Sequence, residues 1–488
     1  MFTHTVDRVL NLLTDNTDLE PCGMATTYLL NRVIVDLRSN TLDLTTTTTL
    51  SESLIDLANH QILVYPYKDV PACWRRLLTD ASLGMACCLS MRLNNECGTT
   101  EVGWETEQRT WRKVIKVLDL AIVVAGAPGT NRREIIDEFI DRAQQRLTEL
   151  RRASAYPLST AHVTPSSLEP SSPRGQKRPR LEDINPSPST ISSSFPPLTL
   201  PENYPLVIHP IHRPTPIPSL LSFSSHINSP NPTPLIISEG AISHWPAFHP
   251  PRIWSDPSYL LSVAADRVVP VEIGSRYTDE AWTQRMMRFG DFVNKYVLEG
   301  AGYQKPNGAD GSTITQDAPL KPCTSIRSTD PKLIAYLAQH DLLAQIPRLR
   351  RDIAVPDYCY LSPEPTPEYP TPPATSDAVI TNAWFGPRGT VSPLHHDPYH
   401  NLLAQVVGRK FVRLYAPGEV KKLYPFEGML ENTSQVDVEK PDHAQFPAFA
   451  DAKYVEGILS PGEMLYIPPK WWHYVRSLDV SFSVSFWF

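Results

Sequence analysis

The chain has 488 residues, enough for two or three domains with sizeable cores. Charged residues make up only 20% and the formal net charge is −7, so no global basic field draws the molecule onto nucleic acid, and no direct nucleic-acid binding is predicted. No run of about 18 apolar residues occurs, which argues against a helical membrane span.

The N-terminal stretch MFTHTVDRVLNLLTDNTDLE carries acids early and lacks an apolar core of signal-peptide length, so secretion is not expected. Residues 1–152 read as an all-α interaction domain. VDRVLNLL, TYLLNRVIVDL, ESLIDLANHQILVY, CWRRLLTDASLGMACCLSMRL, WRKVIKVLDLAIVVAGA and NRREIIDEFIDRAQQRLTELRR all place apolar residues three and four apart. Asn131, with Glu134 following, is positioned to cap the last of these helices. The threonine run Thr45–Thr49 reads as an inter-helix loop. His4 and His60 stand alone and suggest no chemistry. Seven cysteines, Cys22, Cys73, Cys87, Cys88, Cys97, Cys323 and Cys359, show no C-x-x-C spacing and predict reduced thiols and an intracellular location.

Proline is over-represented at 49 residues, and it clusters. Residues 153–202 are rich in Ser, Pro and Thr and bury too little apolar surface to offset chain entropy, so they are expected to be a disordered linker. Within it, Lys177, Arg178 and Arg180 form a basic cluster that suits importin binding and predicts a nuclear location, alone or with a cytoplasmic one; a solvated charge run is the plainer reading.

Residues 203–488 return to globular composition. PLVIHPIHRP and PLIISEGAISHWPAF read as strands, and SYLLSVAADRVVPVEIGSRYTDEAWTQRMMRFGDFVNKYVLEGAG alternates helix, strand and helix. LIAYLAQHDLLAQIPRLRRDI has helical spacing, and SPEPTPEYPTPPATS reads as an exposed loop. Beyond it AVITNAWF, GTVSPLHH, NLLAQVVG, RKFVRLYA, EMLYIPP, WHYVRSL and VSFSVSFWF are short strands separated by turn residues. Their density predicts a mainly β jelly roll of the cupin-like, double-stranded β-helix kind, with flanking helices.

The chemistry concentrates in NAWFGPRGTVSPLHHDPYHNLLAQVVGRKFVRLY. Residues i and i+2 of a strand share a face, so His395 and Asp397 point the same way while His396 points oppositely. His400 reads as a loop or supporting residue. The WWHYV strand supplies His473. Two histidines and one carboxylate that leave coordination positions open form the facial triad of non-heme Fe(II) oxygenases. A lone His-x-Asp is a weak signal; Asn401, Lys410 and His473 raise it. Lys410 lies among apolar strand residues and, if it points inward, requires an anion such as a dicarboxylic acid. An edge lysine reaching water is the alternative.

Taken together, these residues resemble the JmjC-domain Fe(II)/2-oxoglutarate oxygenases. The resemblance is nearest to a subgroup described as nuclear arginyl hydroxylases and earlier as histone lysine demethylases. It runs from about Leu206 to the C-terminus and is carried by GAISHWPAF, VPVEIGSRYTDEAW, PDYC, NAWFGPRGTVSPLH, GRKFVRLY, LYPFEGMLENTSQVDVEKPD, ILSPGEMLYIPPKWWHYVRSLD and SFSVSFWF. It implies Fe(II) held by His395, Asp397 and His473. It implies 2-oxoglutarate held by Lys410, Asn401, Tyr336 and Ser392, with Gln339, Trp384 and Trp487 lining the same pocket and O2 as second cosubstrate. Trp384, Phe385, Phe486 and Trp487 would supply apolar walls. Glu272 and Trp282 would meet a substrate arginine, by charge and by stacking. The chain departs from the family pattern at His396, where a neutral amide is usual, and in the insertion Pro363–Pro373. The implied reaction couples decarboxylation of 2-oxoglutarate to hydroxylation of a protein or peptide. Removal of methyl groups from histone lysine is the alternative, chromatin proteins being partners in that case. A catalytically silent chromatin-associated scaffold is the alternative of another class.

Overall fold

The computed structural model describes residues 3–39, 44–97, 103–155, 195, 205–298 (apart from 239, 275 and 279–281), 303–304, 321–322, 334–373 (apart from 368) and 379–488. The basic cluster Lys177–Arg180 and nearly all of the expected linker lie outside them.

Six helices make up the N-terminal region: α1 (Thr3–Leu12), α2 (Met24–Ser39), α3 (Leu44–Val64), α4 (Ala72–Cys97), α5 (Trp104–Ala125) and α6 (Arg132–Ala155). Each coincides with one of the apolar-periodic segments, and together they close a core of their own around Leu30, Leu77, Leu118 and Phe139. Two details differ from expectation. The threonines 45–49 lie inside α3, where the Thr48 and Thr49 hydroxyls donate to the carbonyls of Leu44 (2.6 Å) and Thr45 (3.1 Å). Thr47 is buried, so packing overrides the weak helix propensity of β-branched residues. Asn131 precedes α6 in a left-handed conformation (φ 62°) rather than the extended one of a side-chain N-cap. No described helix is long and apolar enough to cross a membrane.

The C-terminal region contains helices α7 (Leu220–Ile227), α8 (Pro257–Ala264), α9 (Phe289–Phe292), α10 (Leu342–Gln345), α11 (Pro347–Arg350) and α12 (Val420–Leu423). Its strands are β1 (Leu235–Ile237), β2 (Val268–Ile273), β3 (Thr283–Arg288), β4 (Tyr303–Gln304), β5 (Lys321–Pro322), β6 (Ala335–His340), β7 (Ile380–Gly386), β8 (Val391–His395), β9 (Asn401–Val407), β10 (Lys410–Tyr415), β11 (Tyr454–Leu459), β12 (Met464–Ile467), β13 (Trp472–Ser477) and β14 (Ser481–Trp487). An eight-stranded sheet ordered β1-β12-β9-β14-β7-β6-β2-β3 faces a four-stranded sheet ordered β11-β10-β13-β8, the jelly-roll arrangement. Helices cover the outer face of the large sheet, where Phe385, Phe482 and Phe289 stack.

Three segments depart from the sequence reading. The first part of LIAYLAQHDLLAQIPRLRRDI is strand β6, because pairing with β2 and β7 outweighs its helical spacing. PLVIHPIHRP makes only isolated bridges, Pro210 to Glu456 and His212 to Leu235, since proline cannot donate to a ladder. Strand β11, an edge strand whose ladder with β10 runs unbroken through Gly457, is not among the strands read from the sequence. The described residues of the proline-rich insertion form a largely exposed loop, apart from Pro373, which is buried, and Tyr369, whose ring is buried edge-on against His400, with 4.7 Å between centroids.

The helical region is docked on the jelly roll. Arg112 and Arg151 pair with buried Asp266, and the Gln144 amide donates to the Val263 carbonyl at 2.9 Å. Phe195, in the expected linker, is itself buried and donates its N–H to the Ser255 carbonyl at 2.9 Å.

Candidate metal centre and cosubstrate cavity

Antiparallel pairing of β8 with β13 sets His395 directly opposite His473, with ring centroids 4.2 Å apart. Asp397 lies just beyond the end of β8 rather than on the strand. Its carboxylate still turns back to within 3.5 Å of His473 Nε2. The ligand atoms of the three residues all lie within 4.8 Å of one another, which no other such group does among the described residues.

The histidine tautomers follow from the backbone. Pro393 O accepts from His395 Nδ1 at 2.7 Å, and Trp471 O accepts from His473 Nδ1 at 3.0 Å. Both protons are thereby placed on Nδ1, and the Nε2 lone pairs are left for a metal. Burial, aided by His473, pushes His395 down to about 4, so its imidazole is neutral. For Asp397 burial acts upward, but the adjacent His473 and His395 rings outweigh it, and the carboxyl stays below its ordinary range. Imidazole nitrogens facing a carboxylate at this distance are satisfied by a cation between them, and the donor set suits Fe(II).

The neighbouring histidines are occupied elsewhere. The His396 ring meets Trp472 edge-on at 4.6 Å, on the side away from the triad. His400 is buried, with Nδ1 2.9 Å from the Tyr466 hydroxyl.

One cavity between the sheets is lined by all three triad residues together with Tyr336, Trp384, Ser392, Asn401 and Lys410. Lys410, the first residue of β10, is only 2% exposed, and its ammonium donates to the Tyr336 hydroxyl at 3.1 Å. No carboxylate pairs with it among the described residues, and burial lowers its pKa to about 7. Burial also drives Tyr336 upward, with Glu272 adding to the effect, so its hydroxyl keeps its proton. The side-chain oxygen of Asn401 is buried without a partner. A buried cation and an unsatisfied amide sharing a cavity with a metal triad fit a chelating dicarboxylate.

Other expected residues are placed differently. Gln339 is exposed and does not line the cavity, because its left-handed backbone (φ 46°) lies in the irregular stretch where β6 leaves register with β7. Trp384 donates to the Ser485 hydroxyl at 2.9 Å inside the cavity. Strand alternation therefore sends Phe385 and Phe486 to the opposite face, into the helix-covered core, and neither is a wall of the site. Trp487 stands two residues beyond Ser485, opposite Asn401 in register and packed on Tyr399 at 5.7 Å. Glu272 sits opposite Tyr336 on β2 and accepts from the Trp282 indole at 3.3 Å, so these two lie together beside the cavity. Burial raises the Glu272 carboxyl, partly offset by that bond.

Sequence reading passed over Tyr277. Its hydroxyl is 3.2 Å from that of Thr433, whose backbone bridges to His395, and burial, with the charges of Asp397 and Glu272 adding, raises it against the opposing effect of the Thr433 contact. No motif marks it. Only the fold of segment 432–434 along 394–396, through His396 N to Asn432 O and Ser434 N to Leu394 O, brings it there.

The family model for the cupin-like domain matches residues 221–488. A protein of Xenopus tropicalis named lysine-specific demethylase 8 is 45% identical over 307 residues, covering 62% of this chain and 58% of that protein. A Drosophila melanogaster protein named Jumonji C domain-containing protein 5 is 42% identical over 55% of this chain and 58% of its own length. One from Arabidopsis thaliana named lysine-specific demethylase JMJ30 is 42% identical over 52% of this chain and 49% of its own. The matched part of each relative is thus roughly half of it.

Proposed function

We propose that this chain, which belongs to the cupin-like domain family and has JmjC proteins among its relatives, is an Fe(II)- and 2-oxoglutarate-dependent oxygenase acting on a protein. The observation that carries this reading is a metal-ready triad, His395, Asp397 and His473, sharing one cavity with the buried and otherwise uncompensated Lys410. Iron bound by the triad would supply activation of O2 coupled to decarboxylation of 2-oxoglutarate. The chain's own residues do the rest. Lys410 and the Tyr336 hydroxyl bind and orient the distal carboxylate, Ser392 and Asn401 add hydrogen bonds, and the apolar Leu403, Ile467 and Val475 keep water out.

For the acceptor we favour an arginine side chain. Glu272 and Trp282 combine a carboxylate with an indole face beside the cavity, which suits a guanidinium. The names of two relatives support a second reading, removal of methyl groups from lysine by the same site. Mass spectrometry of peptides incubated with the protein, Fe(II) and 2-oxoglutarate separates the two. A gain of one oxygen on arginine supports the first, and loss of methyl units from lysine the second. A silent scaffold predicts neither. Succinate release by the wild-type chain, lost at least about a hundredfold in His395→Ala and Asp397→Ala, tests the oxygenase itself; equal turnover in the variants would refute it. Glu272→Gln is expected to raise the KM for an arginine peptide about tenfold, the worth of a charged hydrogen bond, without changing substrate-free succinate formation. We further propose importin-dependent nuclear entry through Lys177–Arg180, with chromatin proteins as partners. A tagged chain deleted of that cluster that still accumulates in nuclei rules the entry route out.

A further inference from the structure

Strand β6 carries Tyr336, which lines the cavity, and strand β2 carries Glu272 opposite it, yet the two strands pair only at Glu272–Tyr336 and Ile273–Ala335. Continuing that register would set Val268 opposite His340, but no ladder forms there; β6 has turned left-handed at Gln339. The gap is bridged by one side chain. The Gln345 amide nitrogen donates to the Val268 carbonyl at 2.8 Å, while its oxygen lies 2.6 Å from His340 Nε2. The same nitrogen donates, also at 2.8 Å, to Asp119 of helix α5, which belongs to the helical domain.

Asp119 is fully buried, and its carboxylate draws its hydrogen bonds from the jelly-roll region. It accepts from Arg267 Nε (3.0 and 3.1 Å), from a second nitrogen of that guanidinium (2.6 Å), from the Val268 N–H (2.7 Å) and from Gln345. Arg267 in turn donates to the Gln345 carbonyl at 2.8 Å. The amide orientation of Gln345 is determined by this set, since its nitrogen meets two acceptors and its oxygen the imidazole of His340.

We infer that Asp119 and Gln345 are positioning residues for the oxygenase site: the helical domain inserts a carboxylate that, through Gln345, holds β2 and β6 together where their own ladder fails, and so sets the spacing of Glu272 and Tyr336. The cosubstrate half of this inference rests on the oxygenase reading; the strand-clamping half does not. The helical domain is therefore part of the catalytic unit rather than an appendage for targeting alone.

The test uses the full-length chain. In Gln345→Leu, backbone amides of 268–273 and 335–340 should exchange with solvent about tenfold faster in ligand-free protein, with 401–407 unchanged, and the KM for 2-oxoglutarate should rise about tenfold with kcat nearly kept. Gln345→Glu sets two carboxylates against each other and should do the same or worse. Combining it with Asp119→Asn relieves the facing carboxylates but still leaves the Val268 carbonyl without the donor that Gln345 supplies, so exchange in 268–273 and 335–340 should stay fast. A double variant with wild-type exchange and wild-type KM would overturn a clamp that acts through the Val268 carbonyl. Asp119→Ala, which strands a buried arginine, is avoided because it risks misfolding. Unchanged exchange in both strands of Gln345→Leu overturns the clamp, and altered exchange with unchanged KM overturns its role in the site. Absence of succinate from the wild-type chain would instead refute the oxygenase reading, with the exchange measurement still deciding the clamp.

Discussion

Lys410 concentrates the energetics of the cavity. A buried ammonium that donates to the Tyr336 hydroxyl is half neutral near pH 7, because burial disfavours the charged form. A dicarboxylate binds the charged form, so its binding takes up a proton above that pH. The KM for 2-oxoglutarate should accordingly be flat below about pH 7 and rise above it, by up to about tenfold per unit, as the lysine deprotonates. Steady-state kinetics from about pH 6 to 9 checks this. Lys410→Arg, charged throughout, should flatten the profile even where its absolute affinity is poorer. The identity of this lysine and of the triad was legible from residue type and spacing. That His396 and His400 are excluded was legible only in part: strand parity separated His396, whereas the commitment of His400 to Tyr466 and Tyr369 follows from elements distant in sequence.

Among the elements, the β9–β10 connection, which crosses from the large sheet to the small one, determines where Lys410 falls. Its turn depends on Gly408, which has φ 66°, and a Cβ there would stand 2.0 Å from the Val480 carbonyl oxygen. Gly408→Ala should therefore cost about 3 kcal/mol or more, combining backbone strain with a clash against rigid main chain. Thermal denaturation reads the loss, and no expansion of the turn is available because Gln405 donates to the Val407 and Gly408 carbonyls at 2.7 and 2.8 Å. Strand existence was largely legible from alternation, as in SFSVSFWF. Segment 335–340 was not, because its spacing of apolar residues fits a helix and only its neighbours β2 and β7 make it a strand. The same alternation, applied strictly, places Trp384 in the cavity and Phe385 in the core; reading all the aromatics as one wall had ignored it.

At the scale of the molecule, the site lies between two sheets whose hydrophobic clusters include none of the triad residues, so iron should be required for activity and not for folding. Chelation should abolish turnover and leave the helical and strand circular dichroism intact. Adding Mn(II) with 2-oxoglutarate at about a hundred times its Kd should stabilise the native state by about 2.7 kcal/mol and raise Tm by a few degrees, but not in His395→Ala. Equal shifts in both proteins would place the ligand elsewhere. The sequence by itself determined the helical and β halves and brought the triad and Lys410 forward as candidates, since these rest on local periodicity and residue type; that Lys410 points inward rather than to water was decided by the structure. Only the tertiary structure decided that Tyr277 meets Thr433, that Gln339 turns outward, and that Asp119 of the helical domain reaches Gln345 across 226 positions of chain. Such pairings leave no periodic trace, because each depends on where distant backbones come to rest.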